Sequence, residues 1–127
     1  MNKRLLVTGS FLGFLGVVIG AFGAHGLEKL LDADAIATFE TGVKYQIYHA
    51  LLLLLVASFA LSEKTKKTLH ILLLAGVILF SGSIYGLATN ALTSFDFKTI
   101  GLITPLGGTL LITAWLVLIV KFFQMKK

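Results

Sequence analysis

The chain contains no cysteine and a single proline, and only 13% of its 127 residues are charged. Without a thiol it cannot form a disulfide, use a thiolate nucleophile or bind a metal through sulfur. The scarcity of charge matters more, because 57% of the residues are hydrophobic and the mean hydropathy is +0.93. So few charged side chains cannot cover the apolar surface of a water-soluble domain of this size. The composition therefore excludes an ordinary soluble protein.

Long apolar segments take up the excess of hydrophobic residues. Leu5 to Ala24 is twenty residues without a charge, and Leu69 to Leu92 is twenty-four. An α-helix rises about 1.5 Å per residue, so each segment can cross a hydrocarbon core of about 30 Å. The pattern predicts a single all-α integral membrane domain over residues 1–127, with four transmembrane helices in a bundle. The expected spans cover about residues 5–24, 45–62, 69–91 and 101–123.

The region between the first two spans is mixed in character. Charged residues alternate there with apolar ones at helical spacing, which predicts an amphipathic segment over about residues 27–44 on the outer membrane surface. Gly42 is the expected point at which this segment bends into the membrane. The strongly apolar part of the second span, Ile47 to Leu61, is short, so we expect that span to include Tyr45, Tyr48 and His49 near the outer boundary.

The basic residues indicate how the chain is oriented. Eight lysines and arginines lie in the N-terminus, the middle turn and the tail, whereas three, Lys29, Lys44 and Lys98, fall on the other side. Because the more basic side faces the cytoplasm, we predict a multi-pass protein of the cytoplasmic membrane with both termini inside. The groups are small and scattered, so the net charge of +5 does not indicate nucleic-acid binding.

The N-terminus has a second interpretation. Lys3 and Arg4 before an apolar run that ends in Ala21-Phe22-Gly23-Ala24 resemble a secretory signal with a cleavage site. The run is about twice the usual length of a signal core. It also carries glycines at the spacing of a packing face. We therefore favour an uncleaved first helix.

Two helices carry glycines at helical spacing, which allows close approach of another helix. Internal packing is the expected role, and self-association is the alternative. The predicted packing glycines are Gly9, Gly13, Gly16, Gly20, Gly82 and Gly86.

Several motifs carry a resemblance to a known family. They are Gly20-Ala21-Phe22-Gly23-Ala24-His25-Gly26-Leu27, the segment from Thr38 to Leu51, Ser81-Gly82-Ser83-Ile84-Tyr85 and Thr104-Pro105-Leu106-Gly107-Gly108. Together they resemble domain-of-unknown-function family 423 along nearly the whole chain. The resemblance implies a small multispanning protein of the bacterial cell membrane. It implies no activity, because the family has none assigned.

Polar residues of these motifs form a candidate cluster in the outer half of the bundle. Its members are His25, Glu40, Tyr45, Tyr48, His49, Tyr85, Asn90 and Thr104. If α-helix is continuous between them, Glu40 and His49 lie on opposite faces and cannot share an ion. A His25–His49 pair with Tyr45 stays open geometrically, but it lacks a third firm ligand. We expect structural hydrogen bonds between helices, and we assign no catalytic residue, metal or cofactor.

Three functions follow, in order of expectation. The first is a non-catalytic membrane component that interacts with lipids, with a membrane-protein partner or with copies of itself. The second is an outward-facing membrane enzyme or metal-binding protein that uses His25 and His49. The third is a small transporter or an oligomeric pore, which the absence of acidic or basic groups at mid-depth disfavours. If lipids bind, we expect their headgroups to contact the helix start at Thr104 and Pro105 and the lysines near His70.

Overall fold

The structure is a computed structural model that describes residues 2–94, 96 and 101–126. Most of this part of the chain forms four α-helices: α1 (Lys3–Phe22), α2 (Ala33–Ser58), α3 (Glu63–Ala88) and α4 (Ile103–Phe123). A π-helical turn, Gly23–Leu27, continues α1, and a 3₁₀ turn, Asn90–Leu92, follows α3. The described ranges contain no β-strand, so the predicted all-α class is confirmed. Lys98 and Lys127, which entered the count of basic residues, lie outside the described residues.

Three helical stretches are long and apolar enough to cross a bilayer. They are Lys3–Leu27, Glu63–Ala88 and Ile103–Phe123. α2 is not among them, although it has 26 residues. Lys44, Gln46 and His49 interrupt its apolar residues and lower its hydropathy. Length and composition therefore support three spans, and a fourth depends on how α2 packs.

α2 is one continuous helix that contains most of the expected amphipathic segment together with most of the expected second span. Asp32 caps it by accepting a hydrogen bond from the backbone N–H of Ala35 at 2.8 Å, and the helix then runs through Gly42 to Ser58. The predicted bend at Gly42 is wrong. The glycine instead leaves room for α3, because a β-carbon there would lie 2.7 Å from the ring of Tyr85.

α3 also begins earlier than expected. Ser62 caps it by accepting from the backbone N–H of Thr65 at 3.1 Å, so the helix starts at Glu63 and not at residue 69. The lysines that were expected in a turn belong to its first turns.

Successive helices pack side by side in antiparallel order. Rising residue numbers on one helix meet falling numbers on the next, which defines an up-down-up-down bundle. The contacts that fix the register are Gly9–Ala50 and Gly20–Val43 between α1 and α2, Ala57–Lys66 and Gly42–Ser81 between α2 and α3, and Gly76–Leu111 and Ser83–Thr104 between α3 and α4.

The main apolar core lies where α2, α3 and α4 meet. Its fully buried members are Ala50, Leu53, Val56, Leu69, Leu73 and Ala114. α1 adds Leu5 and Leu12 to the same cluster, while Phe11, Phe14 and Val17 stay exposed on its other side. An exposed apolar face of this kind suits contact with acyl chains.

The predicted packing glycines of the first helix all face α2: Gly9, Gly13, Gly16 and Gly20. A β-carbon on Gly9 would lie 2.8 Å from the backbone oxygen of Ala50, and one on Gly16 would lie 2.8 Å from the side chain of Ile47. Gly13 has more room, since its nearest neighbour would be 3.8 Å away. The two helices therefore approach most closely at Gly9 and Gly16.

The α3–α4 crossing depends on glycines other than those predicted. A β-carbon on Gly107 would collide with the backbone nitrogen of Phe80 and lie 2.7 Å from the carbonyl carbon of Leu79. A β-carbon on Gly82, by contrast, would meet nothing within 4 Å, so this glycine has no packing role among the residues that the structure describes. Gly86, the other predicted packing glycine of α3, is half-buried.

These two glycines give a matched pair of variants. We expect Gly107→Ala to lower the free energy of unfolding by about 1–3 kcal/mol, because the added methyl group meets backbone that cannot rotate away. Gly82→Ala should leave stability unchanged or raise it by up to ~1 kcal/mol, since alanine favours the helix. Unfolding followed by circular dichroism in detergent measures both. Equal destabilisation by the two changes would contradict the assigned crossing point.

Candidate functional site

Gln46 joins three helices at the centre of the bundle. Its side chain is 4% exposed. The amide nitrogen donates to the backbone oxygen of Leu12 on α1 at 2.8 Å, and the amide oxygen accepts from the hydroxyl of Tyr85 on α3 at 2.6 Å. Because Leu12 lies midway along α1, this contact sits in the interior and not at a helix end.

Two further hydroxyl contacts hold α3 against its neighbours. The buried Ser81 donates to the backbone oxygen of Gly42 on α2 at 2.7 Å. Ser83 bonds with Thr104 at the start of α4 and also donates to the backbone oxygen of Phe80. The polar groups of α3 therefore reach α2 on one side and α4 on the other.

His49 uses both ring nitrogens for contacts within the protein. Nδ1 lies 2.7 Å from the backbone oxygen of Tyr45, and Nε2 lies 3.1 Å from the indole nitrogen of Trp115 on α4. A carbonyl oxygen can only accept and an indole N–H can only donate, which assigns the proton to Nδ1 and the lone pair to the indole contact. In this arrangement the imidazole has no free nitrogen for a metal ion or for proton abstraction.

Aromatic rings surround His49 on the side that faces α4. The rings of Tyr45 and His49 are nearly parallel, with centroids 6.1 Å apart, and the Tyr45 and Phe80 centroids are 5.0 Å apart. Together with Trp115 these side chains line a cavity of about 310 Å³. Tyr48 touches the edge of the group, 5.8 Å from Tyr45, and is exposed. The cavity is a largely apolar fissure beside the helices, with no charged residue in its wall.

The predicted polar cluster is thus divided among separate places. Tyr45, Tyr48 and His49 lie together, Tyr85 bonds with Gln46, and Thr104 bonds with Ser83. Glu40 is exposed on α2, His25 is exposed in the π-helical turn, and Asn90 lies in the 3₁₀ turn after α3.

The structure does not bring His25 and His49 together. Gly23, near His25, lies against Phe39, and ten residues of α2 separate Phe39 from His49. Ten residues of helix span about 15 Å, which is too far for two ligands of one ion. Across the described part of the chain, no three histidine or carboxylate side chains are grouped closely enough to hold a metal.

Sequence reasoning missed Gln46 and Trp115. Gln46 shares the buried face of α2 with Phe39, Gly42 and His49, at intervals of three and four residues. A polar residue at such a position must find a partner inside the bundle, and this spacing was the signal that could have identified it. From the sequence alone, Trp115 cannot be distinguished from a tryptophan that anchors a helix at the membrane interface, because its hydrogen-bond partner His49 is 66 residues away.

The Gln46–Tyr85 contact can be measured with a double-mutant cycle. We expect Gln46→Leu and Tyr85→Phe each to destabilise the protein in detergent, with a coupling free energy of about 0.6–2 kcal/mol between them. Tyr48→Phe is the matched control, because the Tyr48 hydroxyl has no hydrogen bond within the described residues. Additive effects of the Gln46 and Tyr85 changes would show that the contact does not stabilise the bundle.

The comparisons with known proteins agree with this architecture. A family model described as "Protein of unknown function (DUF423)" matches residues 19–108. The UPF0382 membrane protein of Haemophilus influenzae is 39% identical over 127 residues, covering 99% of this chain and 98% of the relative. The UPF0382 membrane protein YwdK of Bacillus subtilis is 38% identical, covering 93% and 94%.

The UPF0382 inner membrane protein YgdD of Escherichia coli is 32% identical over 129 residues, covering 99% of this chain and 94% of the relative. No solved structure matches. The resemblance found in the sequence motifs is confirmed, and the matches extend over nearly the full length of both chains. The chain therefore belongs to the DUF423 family of uncharacterised bacterial membrane proteins.

Proposed function

We propose that this protein is a non-catalytic component of the bacterial cytoplasmic membrane that acts through lateral contacts of its outer helix faces, chiefly with membrane lipids. One observation carries the proposal. Within the described residues, no buried side-chain nitrogen or oxygen lacks a hydrogen-bond partner. Gln46 and His49, the polar groups best placed for chemistry, use their polar atoms on other helices or on their own backbone. Such a network stabilises a bundle and leaves no interior group available to a substrate.

The packing of α2 supports four spans, which would put both termini on one side of the membrane, and the excess of basic residues predicts that this side is the cytoplasmic one. α2 lies along α1 from Phe39 to Leu54 and reaches Lys66 of α3 at Ala57. Phe39 to Ala57 measures about 27 Å of helix, close to the thickness of the hydrocarbon core. We therefore infer that α2, which packs along two candidate spans over that length, crosses the bilayer with them. An even number of spans then returns the chain to the side on which it started.

The outer surfaces of α1 and α4 favour lipid as the contacting partner. Phe14 and Val17 on α1 and Ile112 and Ile119 on α4 are each at least 60% exposed. In a membrane these side chains meet acyl chains at no cost, and the glycine face of α1 is already covered by α2. A second copy or another membrane protein could take the place of lipid, and the experiment on lipid retention distinguishes these occupants.

The native chain has no cysteine, so single introduced cysteines report the topology directly. We expect a membrane-impermeant maleimide added to intact cells to label Glu28→Cys, and to label Lys64→Cys and Gln124→Cys only after lysis. All three residues are exposed, and the unmodified chain is the blank. Labelling of Glu28→Cys and Lys64→Cys from the same side would show that α2 does not span.

Native mass spectrometry of protein extracted with its own membrane lipids tests the proposed function. We expect a metal-free species that retains lipid, and the same species for His49→Ala. A fixed number of subunits or a bound partner protein would identify a protein interface as the working surface. A stoichiometric metal that is lost on His49→Ala would contradict the non-catalytic proposal and favour the metal-binding alternative. Bare monomers without lipid would contradict it as well.

A further inference from the structure

A charged cavity lies at the end of the bundle where α1 and α3 begin. It has a volume of about 400 Å³, and Lys3, Arg4, Lys67 and His70 are among the residues that line it. The apolar Leu5, which is 1% exposed, also lines it. We refer to this cavity as the basic cleft.

Few negative charges balance the cations of the basic cleft. Glu63 is the one acidic residue in its wall, and it accepts a hydrogen bond from the side-chain amide of Asn2 at 3.0 Å. The ammonium group of Lys66, which is 8% exposed, donates to the backbone oxygen of Ala57 at the end of α2 at 3.0 Å. Glu63 and Lys66 therefore each have a hydrogen-bond partner already, and neither partner is one of the other cations in the wall.

Three cations are left facing the cavity. Lys3, Arg4 and Lys67 line it, all three are exposed to solvent, and none forms an ion pair with an acidic residue in the described ranges. Like charges around one cavity repel each other, water and salt screen that repulsion in part, and a bound anion would relieve the rest. The start of α1 adds to this potential, because Asn2 turns its side chain to Glu63 and does not cap the helix.

The position of the basic cleft identifies the source of the anion. Immediately beyond it, the uncharged runs of α1 and α3 begin at Leu5 and Leu69. With α1 and α3 crossing the bilayer, as their length and composition allow, the cleft would lie at the boundary between the apolar interior and water, the level of lipid phosphates. His70, on the membrane side of the cleft, is held by a 2.8 Å hydrogen bond with Thr8 of α1.

From this arrangement we infer that the basic cleft binds the phosphate group of an anionic phospholipid on the cytoplasmic side of the membrane, with Arg4 and Lys67 as its principal contacts. Arginine pairs with phosphate through two parallel hydrogen bonds, and lysine contributes a point charge. The inference rests on the proposed function, because it specifies which lipid the protein contacts and where. It predicts a preference for anionic over zwitterionic lipid that depends on two named residues.

The test compares two double variants that remove the same charge. Arg4→Gln/Lys67→Gln alters the basic cleft, while Lys64→Gln/Lys121→Gln removes two exposed cations that do not line it. Purified full-length protein in detergent is titrated with phosphatidylglycerol or phosphatidylcholine, and native mass spectrometry records the lipid-bound fraction. We expect the native chain to prefer phosphatidylglycerol. The cleft variant should bind it roughly tenfold more weakly, and the control variant should stay within about twofold of the native chain.

Two further measurements keep the outcome unambiguous. Circular dichroism melting of each variant shows that it is folded, and Lys67→Arg should retain binding because it preserves the charge. Inorganic phosphate added at millimolar concentration distinguishes the sources of the anion. Binding of inorganic phosphate by the native chain, with no preference for phosphatidylglycerol, would overturn the lipid assignment in favour of a soluble phosphate.

The remaining outcomes test the basic cleft and the proposed function independently of each other. Equal loss of phosphatidylglycerol from both double variants, or loss from neither, would overturn the cleft as the binding site. Retention of native lipids without any dependence on Arg4 and Lys67 would overturn the cleft while the proposed function stands. Failure of the native chain to retain any lipid would overturn both.

Discussion

A polar side chain that is buried among packed helices has no water to bond with, and the position of Gln46 shows how the bundle meets this constraint. A buried primary amide has a donor end and an acceptor end, and each end needs a partner from the protein. Leu12 of α1 accepts from the amide and Tyr85 of α3 donates to it. One side chain therefore fixes the rotation of α2 about its axis, because no other rotation offers both partners. Ser81 and His49 add constraints of the same kind towards α3 and α4.

These hydrogen bonds depend on glycines, because short side-chain donors reach a neighbouring backbone only where the helices are close. Ser81 reaches the carbonyl oxygen of Gly42 across a point where any β-carbon would strike Tyr85. At Gly107 the backbones of α3 and α4 come closer still. In lipid, where apolar side chains gain little from leaving the solvent, close packing and interhelical hydrogen bonds are the main attractive terms. The glycines allow the close packing, and by bringing the helices together they place the hydrogen-bond donors within reach of their acceptors.

The sequence was sufficient for features that depend on one helix at a time. The apolar runs locate α1, α3 and α4, and the spacing of Gly9, Gly13, Gly16 and Gly20 defines one face of α1. Features that depend on contacts between two helices could not be predicted from the sequence in this way. Gly42 was interpreted as a bend because a glycine before an apolar run permits a bend or close packing equally well. Only the presence of Tyr85 opposite decides between them. The contact of His49 with Trp115 joins residues 66 apart, and local pattern carries no information at that separation.

Each helix packs mainly against its neighbours in the chain, and this order has a consequence for how the protein is made. α1 can pair with α2 as soon as both have been synthesised, and α3 can then add to that hairpin before α4 exists. The register contacts of the first three helices, from Gly9 to Tyr85, need nothing that comes later in the chain. The bond between His49 and Trp115 is different, since α2 must wait for the last helix before it forms. Until then the ring of His49 has no indole partner. Addition of α4 is thus the step that completes the fold, because only then does the second ring nitrogen of His49 gain its partner.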